Sequence, residues 1–280
     1  MMKLNEMKDL SEIKDYSEWV AQTKMDGEYM FALKKGDNIQ LVRYDKQNKA
    51  VNIAFKFPEL KKAIAELSGD YLLKGEVFSY VKKNKDGVPE RCDTSQFNGV
   101  QQRANLKDLK EIEKRMETYP LMFCVFDCLY KDGVDLKNSP YKERLEHINS
   151  MDLKGILTTP ECAYGEEIPA FIERMKERDE EGVVLKKLSG TYETNKRSKT
   201  QFKHKFRLCT DVVFTGYETC KDYGIVCYNE EGIRVRCASR VQEIKDLIDT
   251  KGSVTLEIEY DSLTEDNKLR MPSFKSKIVG

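Results

Sequence analysis

The spacing of apolar and polar residues predicts short strands and helices over the larger part of the chain. Residues 71–80 alternate as half-buried strands do, and residues 29–33 and 39–44 are predicted as two strands on either side of the turn signal KKGDN. Apolar or β-type runs predict further strands at 121–129, 182–186 and 201–206. Helical spacing, or charged stretches without helix breakers, predicts helices at 6–20, 59–67, 93–119, 140–148 and 170–179.

The pattern changes after about residue 208. One helical stretch, at 241–249, lies among short β-type runs separated by turns, which cover 211–217, 224–228, 232–237 and 253–260. This arrangement favours a small barrel of the OB type. We therefore divide the chain into a first domain of residues 1–207 and a second of residues 208–280.

Composition limits the class of protein. The 280 residues are 40% hydrophobic and 34% charged, which is typical of a folded globular protein. No stretch approaches the ~18 apolar residues of a membrane span, and the mixed-charge N-terminus lacks the apolar segment of a secretory signal. We therefore expect a cytoplasmic protein that does not associate with membranes.

Histidine and cysteine usage disfavours two kinds of site. The chain has two histidines, His147 and His204, and eight scattered cysteines with no CxxC pair. A histidine-based catalytic triad or a zinc site is therefore not expected, and reduced thiols are the better interpretation.

The net charge is zero, yet cations concentrate in one segment. Between residues 186 and 207 a single acid, Glu193, stands among Lys186, Lys187, Lys196, Arg197, Lys199, Lys203, Lys205 and Arg207. Phosphate binding favours such a strip even in a neutral chain. A solvated loop is the ordinary alternative.

A candidate nucleophile lies in Thr23-Lys24-Met25-Asp26-Gly27. The Asp-Gly turn places Lys24 at the entry to a strand. An amine attacks only when neutral, so desolvation or cationic neighbours must lower its pKa. A surface lysine at a turn remains the alternative when this motif is considered by itself.

Four other segments carry candidate chemistry. Glu76 is a carboxylate on a predicted strand, where it needs a partner or a ligand, and Phe126 could stack on a base or simply belong to the core. In the segment EGVVLK, Glu181 could coordinate Mg²⁺ and Lys186 could contact a phosphate. Alternation along a strand puts Lys203 and Lys205 on the same face, and like charges there favour an anion between them.

The order of these motifs, rather than any one of them, indicates a function. KMDG at Lys24 is followed by Arg43, Glu76, Phe126-Asp127, EGVVLK at Glu181, KHK at Lys203 and RMPSF at Arg270. This order resembles the covalent nucleotidyltransferase superfamily, and within it the short viral, phage or bacterial ATP-dependent DNA ligases. The resemblance implies an α+β fold, in which an ATP-grasp-like nucleotidyltransferase domain of antiparallel sheets and helices precedes an all-β OB-fold barrel.

The resemblance also implies roles for residues in nucleotide transfer. Lys24 would carry AMP, Glu76 would hold the ribose and Phe126 would stack on adenine. Glu76 and Glu181 would serve Mg²⁺, with Mn²⁺ also suitable. The remaining nucleotide contacts would come from Thr23, Arg43, Lys186, Lys203 and Lys205.

Other implied roles concern DNA and the second domain. Arg43 would meet the 5′-phosphate of a nick, and Arg270 would orient the pyrophosphate leaving group. Further DNA contacts are expected from Lys196, Arg197 and the polar segment 82–103, which ends in Arg103. The expected partner is nicked double-stranded DNA, bound by a monomer in DNA replication, repair or recombination.

The chain departs from the family pattern at three positions. Tyr29 stands where the family often has Arg, and Gln201 stands where it often has Trp. Arg43 is followed by Tyr44 rather than Gly. Three alternatives stay open: an RNA-joining ligase, a GTP-dependent mRNA-capping guanylyltransferase, and a nucleic-acid-binding OB protein without activity.

Overall fold

The computed structural model describes residues 2–45, 47–84, 88–221, 224–264 and 268–279. The chain divides into two units, Met1–Lys205 and Phe206–Gly280. The division lies close to the position at which the strand pattern of the sequence changes. None of the helices in the described ranges has the length and apolar character needed to cross a membrane.

The first unit contains five helices and thirteen strands within its described residues. The helices are α1 (Pro58–Ala65), α2 (Phe97–Ala104), α3 (Leu109–Thr118), α4 (Tyr141–Asn149) and α5 (Ile168–Glu177). The strands are β1 (Lys3–Glu6), β2 (Trp19–Thr23), β3 (Glu28–Lys35), β4 (Asn38–Tyr44), β5 (Ala50–Asn52), β6 (Tyr71–Lys83), β7 (Pro89–Gln96), β8 (Leu121–Lys131), β9 (Val134–Asp135), β10 (Leu157–Thr158), β11 (Cys162–Tyr164), β12 (Gly182–Lys187) and β13 (Arg197–Lys205). Short 3₁₀ turns lie at Leu10–Glu12, Ala54–Lys56 and Gly165–Glu167.

These strands form two sheets. The smaller sheet has the order β1-β13-β12-β2-β11, and the larger has the order β10-β8-β6-β3-β4-β5, with β7 paired to β6 and β9 to β8. Most neighbours are antiparallel, while β1 pairs with β13 and β10 with β8 in parallel. The main core draws on both sheets and on α1 and α4, through buried residues such as Val20, Leu60, Leu73, Phe123 and Leu145.

Three of the five helices predicted in the first unit are confirmed, and two are wrong. The predictions at 59–67, 140–148 and 170–179 are confirmed by α1, α4 and α5. The helix predicted at 6–20 is wrong, because β1 pairs with β13 and the following segment turns. Asp9 and Asp15 accept the backbone N–H groups of Ser11 and Ser17, and such bonds compete with a helix.

The single helix predicted at 93–119 is also wrong. Residues up to Gln96 extend β7 along β6, and two helices follow instead of one. The break before α3 is fixed by Asp108, whose carboxylate accepts the N–H of Glu111 at 3.0 Å and caps the helix.

The second unit contains one helix and eight strands within its described residues. They are β14 (Leu208–Phe214), β15 (Gly216–Thr219), β16 (Ile225–Tyr228), β17 (Arg234–Cys237), α6 (Val241–Lys251), β18 (Val254–Tyr260), β19 (Ser262–Leu263), β20 (Leu269–Arg270) and β21 (Ser273–Val279). The sheets have the orders β14-β18-β21, β15-β16-β17 and β19-β20. Ile244 and Ile248 of α6 pack on the buried strand residues, so the unit has a core of its own.

Arg103 belongs to the core of the first unit and not to a DNA-binding surface. Its side chain is fully buried and pairs with Glu59, with Nη2 lying 3.0 Å from Glu59 Oε2. Nη2 also donates to the carbonyl of Lys56 at 3.1 Å. The expected contact of Arg103 with DNA is therefore wrong, because this guanidinium ties α2 to α1 inside the protein.

We predict that Arg103→Ala lowers the free energy of unfolding by about 3–5 kcal/mol, because it leaves Glu59 without its buried partner. Chemical denaturation measures this loss. Lys110→Ala, at an exposed position of α3, is the control and should change stability by less than about 0.5 kcal/mol. Unchanged stability with weakened DNA binding would return Arg103 to the DNA-contacting residues.

Candidate active site

A cavity of about 440 Å³ opens in the first unit. Its walls come from both sheets and from the first residues of the chain. The lining residues that matter below are Met2, Lys3, Leu4, Thr23, Lys24, Tyr29, Lys74, Glu76, Phe126, Lys186, Arg197, Gln201, Lys203 and Lys205. The cavity thus collects residues from almost every motif of this unit.

Lys24 lies in this cavity, just after β2. Its backbone N–H donates to the carbonyl of Gly182 at 3.0 Å, which fixes the start of the KMDG segment against β12. Its side chain forms a short ion pair with Glu181 Oε2. Lys205 Nζ binds the other oxygen, Oε1, at 3.0 Å. Two lysines distant in sequence therefore share one carboxylate.

The carboxylate of Glu181 remains ionised in this setting. Burial by itself would raise the pKa of Glu181, but the attraction of Lys24 and Lys205 and their hydrogen bonds outweigh it and hold the pKa below the usual value. Glu181 is thus an anion that holds two ammonium groups in place.

In the KMDG and EGVVLK segments, glycines allow two backbone segments to approach each other closely. A Cβ on Gly27 would lie 2.2 Å from the carbonyl oxygen of Val77, so only glycine fits between β3 and β6. Gly182 has φ +153, and a Cβ there would lie 2.2 Å from the carbonyl oxygen of His204. Glycine at these two positions keeps Lys24 and Glu181 in contact range.

Glu76 is a carboxylate of the cavity wall itself. Burial raises its pKa to about 8; the charge of Lys24 opposes this shift, and the neighbouring acids Glu181, Asp26 and Glu28 add to it. Glu76 therefore holds a proton at neutral pH when no cation is bound next to it.

Phe126 and Lys186 lie together on the cavity wall. Lys186 Nζ is 4.7 Å from the centroid of the Phe126 ring and donates to the Phe126 carbonyl and to the Tyr141 hydroxyl, each at 3.0 Å. Burial lowers the pKa of Lys186 to about 7. The ammonium is satisfied by protein groups here, so Lys186 helps to shape the wall beside Phe126.

In addition to Lys186, the basic segment contributes three cationic side chains to the cavity. Lys203 and Lys205 both line it, as the alternation along β13 predicts. Lys203 Nζ lies 3.9 Å from Glu6 Oε2 on β1. Arg197 also lines the cavity and donates to the Leu4 carbonyl at 3.0 Å, whereas Lys196 is exposed and is not among the lining residues.

Two further predicted residues, like Glu181, Lys196 and Arg103, are not among the cavity-lining residues. Arg43, on β4, pairs with Glu28 at 2.6 Å. Arg270 belongs to β20 in the second unit. Their expected roles stay predictions.

Sequence reasoning missed several lining residues. Met2, Lys3 and Leu4 come from the segment that was predicted to precede a helix, and Lys74 is hidden in the apolar run of β6. The sequence did carry a signal for Lys74, because a charged residue within an apolar strand needs a partner or a ligand. Gln201, where the family often has Trp, is buried and lines the cavity.

Comparison with known protein families identifies the family to which the first unit belongs. The family model described as ATP dependent DNA ligase domain matches residues 1–205, which include the whole cavity. The chain belongs to this family.

Related proteins agree with this membership. The SPbeta prophage-derived DNA ligase-like protein LigB of Bacillus subtilis is 28% identical over 273 residues, 92% of each chain. DNA ligase 1 of Methanosarcina barkeri is 27% identical over 186 residues, which are 64% of this chain and 32% of that protein. The chain therefore spans nearly all of the first relative and about a third of the second.

Solved structures share the fold. A Lig E DNA ligase aligns with a TM-score of 0.64 and 14% identity over 99% of this chain and 98% of its own. The ligase domain of LigD from M. tuberculosis aligns with a TM-score of 0.54 and 19% identity over 100% and 98%. The fold is thus the expected nucleotidyltransferase domain followed by an OB-fold domain.

We predict that Glu76→Gln changes how stability depends on pH. The folded pKa of Glu76, about 8, exceeds its ordinary value, so its contribution is fully present at low pH and is lost as pH rises through 8. Between pH 5 and 8 the unchanged protein should therefore lose stability relative to the variant, by up to about 1.4 kcal/mol per pH unit.

Denaturation curves at several pH values measure this difference. Glu143→Gln, at an exposed position of α4, is the matched control and should run parallel to the unchanged protein. Parallel behaviour of the Glu76 variant as well would show that Glu76 is ionised in the folded protein throughout this range.

Proposed function

We propose that this chain is an ATP-dependent DNA ligase that carries AMP on Lys24 and seals nicks between a 3′-hydroxyl and a 5′-phosphate in duplex DNA. One observation carries the proposal. Lys24 lies in a 440 Å³ cavity with Glu76, Phe126, Lys203 and Lys205, in a chain that belongs to the ATP-dependent DNA ligase domain family.

The first step joins Lys24 to AMP. The amine of Lys24 attacks the α-phosphorus of ATP, so that an N–P bond forms and the bond to pyrophosphate breaks. The amine loses its proton to solvent. Because the pKa of Glu181 is held low by Lys24 and Lys205, this carboxylate orients the amine and is a poor base.

Cations stabilise the charge that builds up during this transfer. The non-bridging phosphate oxygens gain negative charge, and preorganised cations lower the barrier most. Lys203 and Lys205 line the cavity beside Lys24 and supply this charge. Arg270 would act on the pyrophosphate from the second unit.

The next two steps use DNA. An oxygen of the 5′-phosphate attacks the phosphorus of the AMP, the N–P bond breaks, and Lys24 is released. The 3′-hydroxyl then attacks the activated 5′-phosphate, forms the phosphodiester and expels AMP. Arg43 and Lys196 are not among the cavity-lining residues, whereas Arg197 lines the cavity; we assign all three to the DNA phosphates, with the protein acting as a monomer.

Glu76 and Glu181 are suited to a divalent cation. Within the described ranges no cluster of three or more metal-ligating side chains occurs. Mg²⁺ commonly uses one or two carboxylates and completes its shell with water and phosphate oxygens, so these two residues fit it, and Mn²⁺ accepts the same oxygen ligands. The chemistry that such an ion supplies is neutralisation of phosphate charge.

We predict that Lys24→Ala abolishes the covalent AMP adduct, because no other amine replaces the nucleophile. The variant should still seal a nick that already carries AMP, since that step needs no lysine adduct. Mass spectrometry after incubation with ATP and magnesium detects the adduct, and a gel assay detects sealing.

Lys187→Ala is the control for the loss of a lysine from the same region. Lys187 lies on β12 but pairs with Glu18 at 2.8 Å. This variant should form the adduct as the unchanged protein does. An adduct on the Lys24 variant would place the nucleophile elsewhere.

We predict that ATP, and not GTP, labels the protein, and that nicked DNA is sealed in preference to a nicked RNA duplex. Parallel incubations with radiolabelled ATP and GTP, followed by a chase with each duplex, measure both preferences. Labelling by GTP would favour the capping-enzyme alternative, and preferential sealing of RNA would favour the RNA-joining alternative.

A further inference from the structure

We propose that Lys74 is a positioning residue that holds the ring of Phe126 in place for stacking on the nucleobase. This inference rests on the proposed function, because it assigns Phe126 to the base of ATP. Lys74 is not among the residues that the motif order implies. It acts through Phe126 and its neighbours rather than on the reacting atoms.

Lys74 lies where three strands of the larger sheet meet. On β6 it is opposite Phe31 of β3 and Asp127 of β8, which places it diagonally across from Tyr29 and next to Phe126. The side chain is buried, with 3% of the residue exposed, and it lines the nucleotide cavity. A charged amine is thus kept inside the wall that carries the stacking ring.

The ion pair with Asp127 accounts for only part of the surroundings of this amine. Arg144 already binds both oxygens of Asp127, at 2.8 and 3.3 Å. Lys74 Nζ lies 3.7 Å from the nearer oxygen of this carboxylate. Arg144 binds the same buried carboxylate and repels Lys74, so Asp127 offsets only part of the desolvation cost of this second buried cation.

Aromatic rings provide that compensation. Lys74 Nζ lies 4.6 Å from the ring centroid of Tyr192, 5.6 Å from that of Phe126 and 5.7 Å from that of Tyr29. All three distances are within the range of cation–π attraction, which strengthens when the cation is desolvated. The ammonium therefore connects a ring on β3, a ring on β8 and a ring in the segment between β12 and β13, and it fixes their relative placement.

The position of Tyr29 agrees with this assignment. Its ring centroid lies 6.1 Å from that of Phe126, so the two rings form one wall of the cavity. At this point the chain has Tyr where the family often has Arg, and the cation on this face comes from β6 instead. Lys74 thus provides a positive charge to the wall while leaving the ring of Tyr29 against Phe126.

The test separates a positioning role from a purely structural one. Lys74→Met, Phe126→Ala and the double variant are compared in the adenylylation reaction, with Lys74→Arg as the conservative replacement. We expect Lys74→Met to raise KM for ATP about tenfold while kcat stays within about twofold, and Lys74→Arg to restore most of the loss. In the Phe126→Ala background the Lys74 change should add little, because its effect passes through the ring.

Lys34→Met is the matched control. Lys34 is a buried lysine on β3 that donates to the Gly69 carbonyl at 2.9 Å and is not among the cavity-lining residues. Its loss should leave KM for ATP unchanged. An unchanged KM in Lys74→Met, or the same factor in the presence and absence of Phe126, would overturn the proposal.

A binding measurement keeps this proposal separate from the proposed function. The dissociation constant for ATP is measured in the Lys24→Ala background with and without Lys74→Met. Weaker ATP binding caused by the Lys74 change supports the positioning role even if the unchanged protein forms no adduct, a result that would overturn the ligase proposal. Equal binding in both variants overturns the positioning role even if the adduct forms.

Discussion

The candidate active site depends on holding two positively charged lysines close to each other. Lys24 and Lys205 would repel each other, and Glu181 lies between them with one oxygen directed to each. The two strands that carry Glu181 and Lys205 to this point are antiparallel neighbours, with Gly182 opposite Lys205. Backbone pairing therefore sets the distance between these charges, and the carboxylate neutralises them until a phosphate enters.

Burial also shifts the pKa values of the ionisable groups that surround Lys24 and Glu181. Glu76, Lys74 and Lys186 all have pKa values displaced toward neutrality, to about 8, 8 and 7, because the cavity walls exclude water. The uncharged form of each group is therefore accessible near neutral pH in the free protein, although Lys74 still carries its proton at pH 7. A phosphate or a divalent cation that enters the cavity would favour the charged forms, so binding and protonation are coupled here.

The sequence predicts those parts of the fold and site that depend on local pattern or motif order. Alternation along β13 placed Lys203 and Lys205 on the cavity side, and helical spacing located α1, α4 and α5. The predictions from sequence failed where the contacting residues are distant from each other along the chain. Glu59 makes Arg103 a core residue, and pairing with β13 makes residues 3–6 a strand, and neither partner is visible locally. The role of Lys74 could not be predicted from the sequence, because the three aromatic rings next to it come together only in the folded protein.

The first strand has a practical consequence for handling the protein. Met2, Lys3 and Leu4 form part of the cavity wall, and the Met2 N–H donates to the Tyr192 hydroxyl at 3.1 Å. Removal of residues 2–4 would open this wall and take away the hydrogen bond to Tyr192, so a shortened version of the protein should keep these residues.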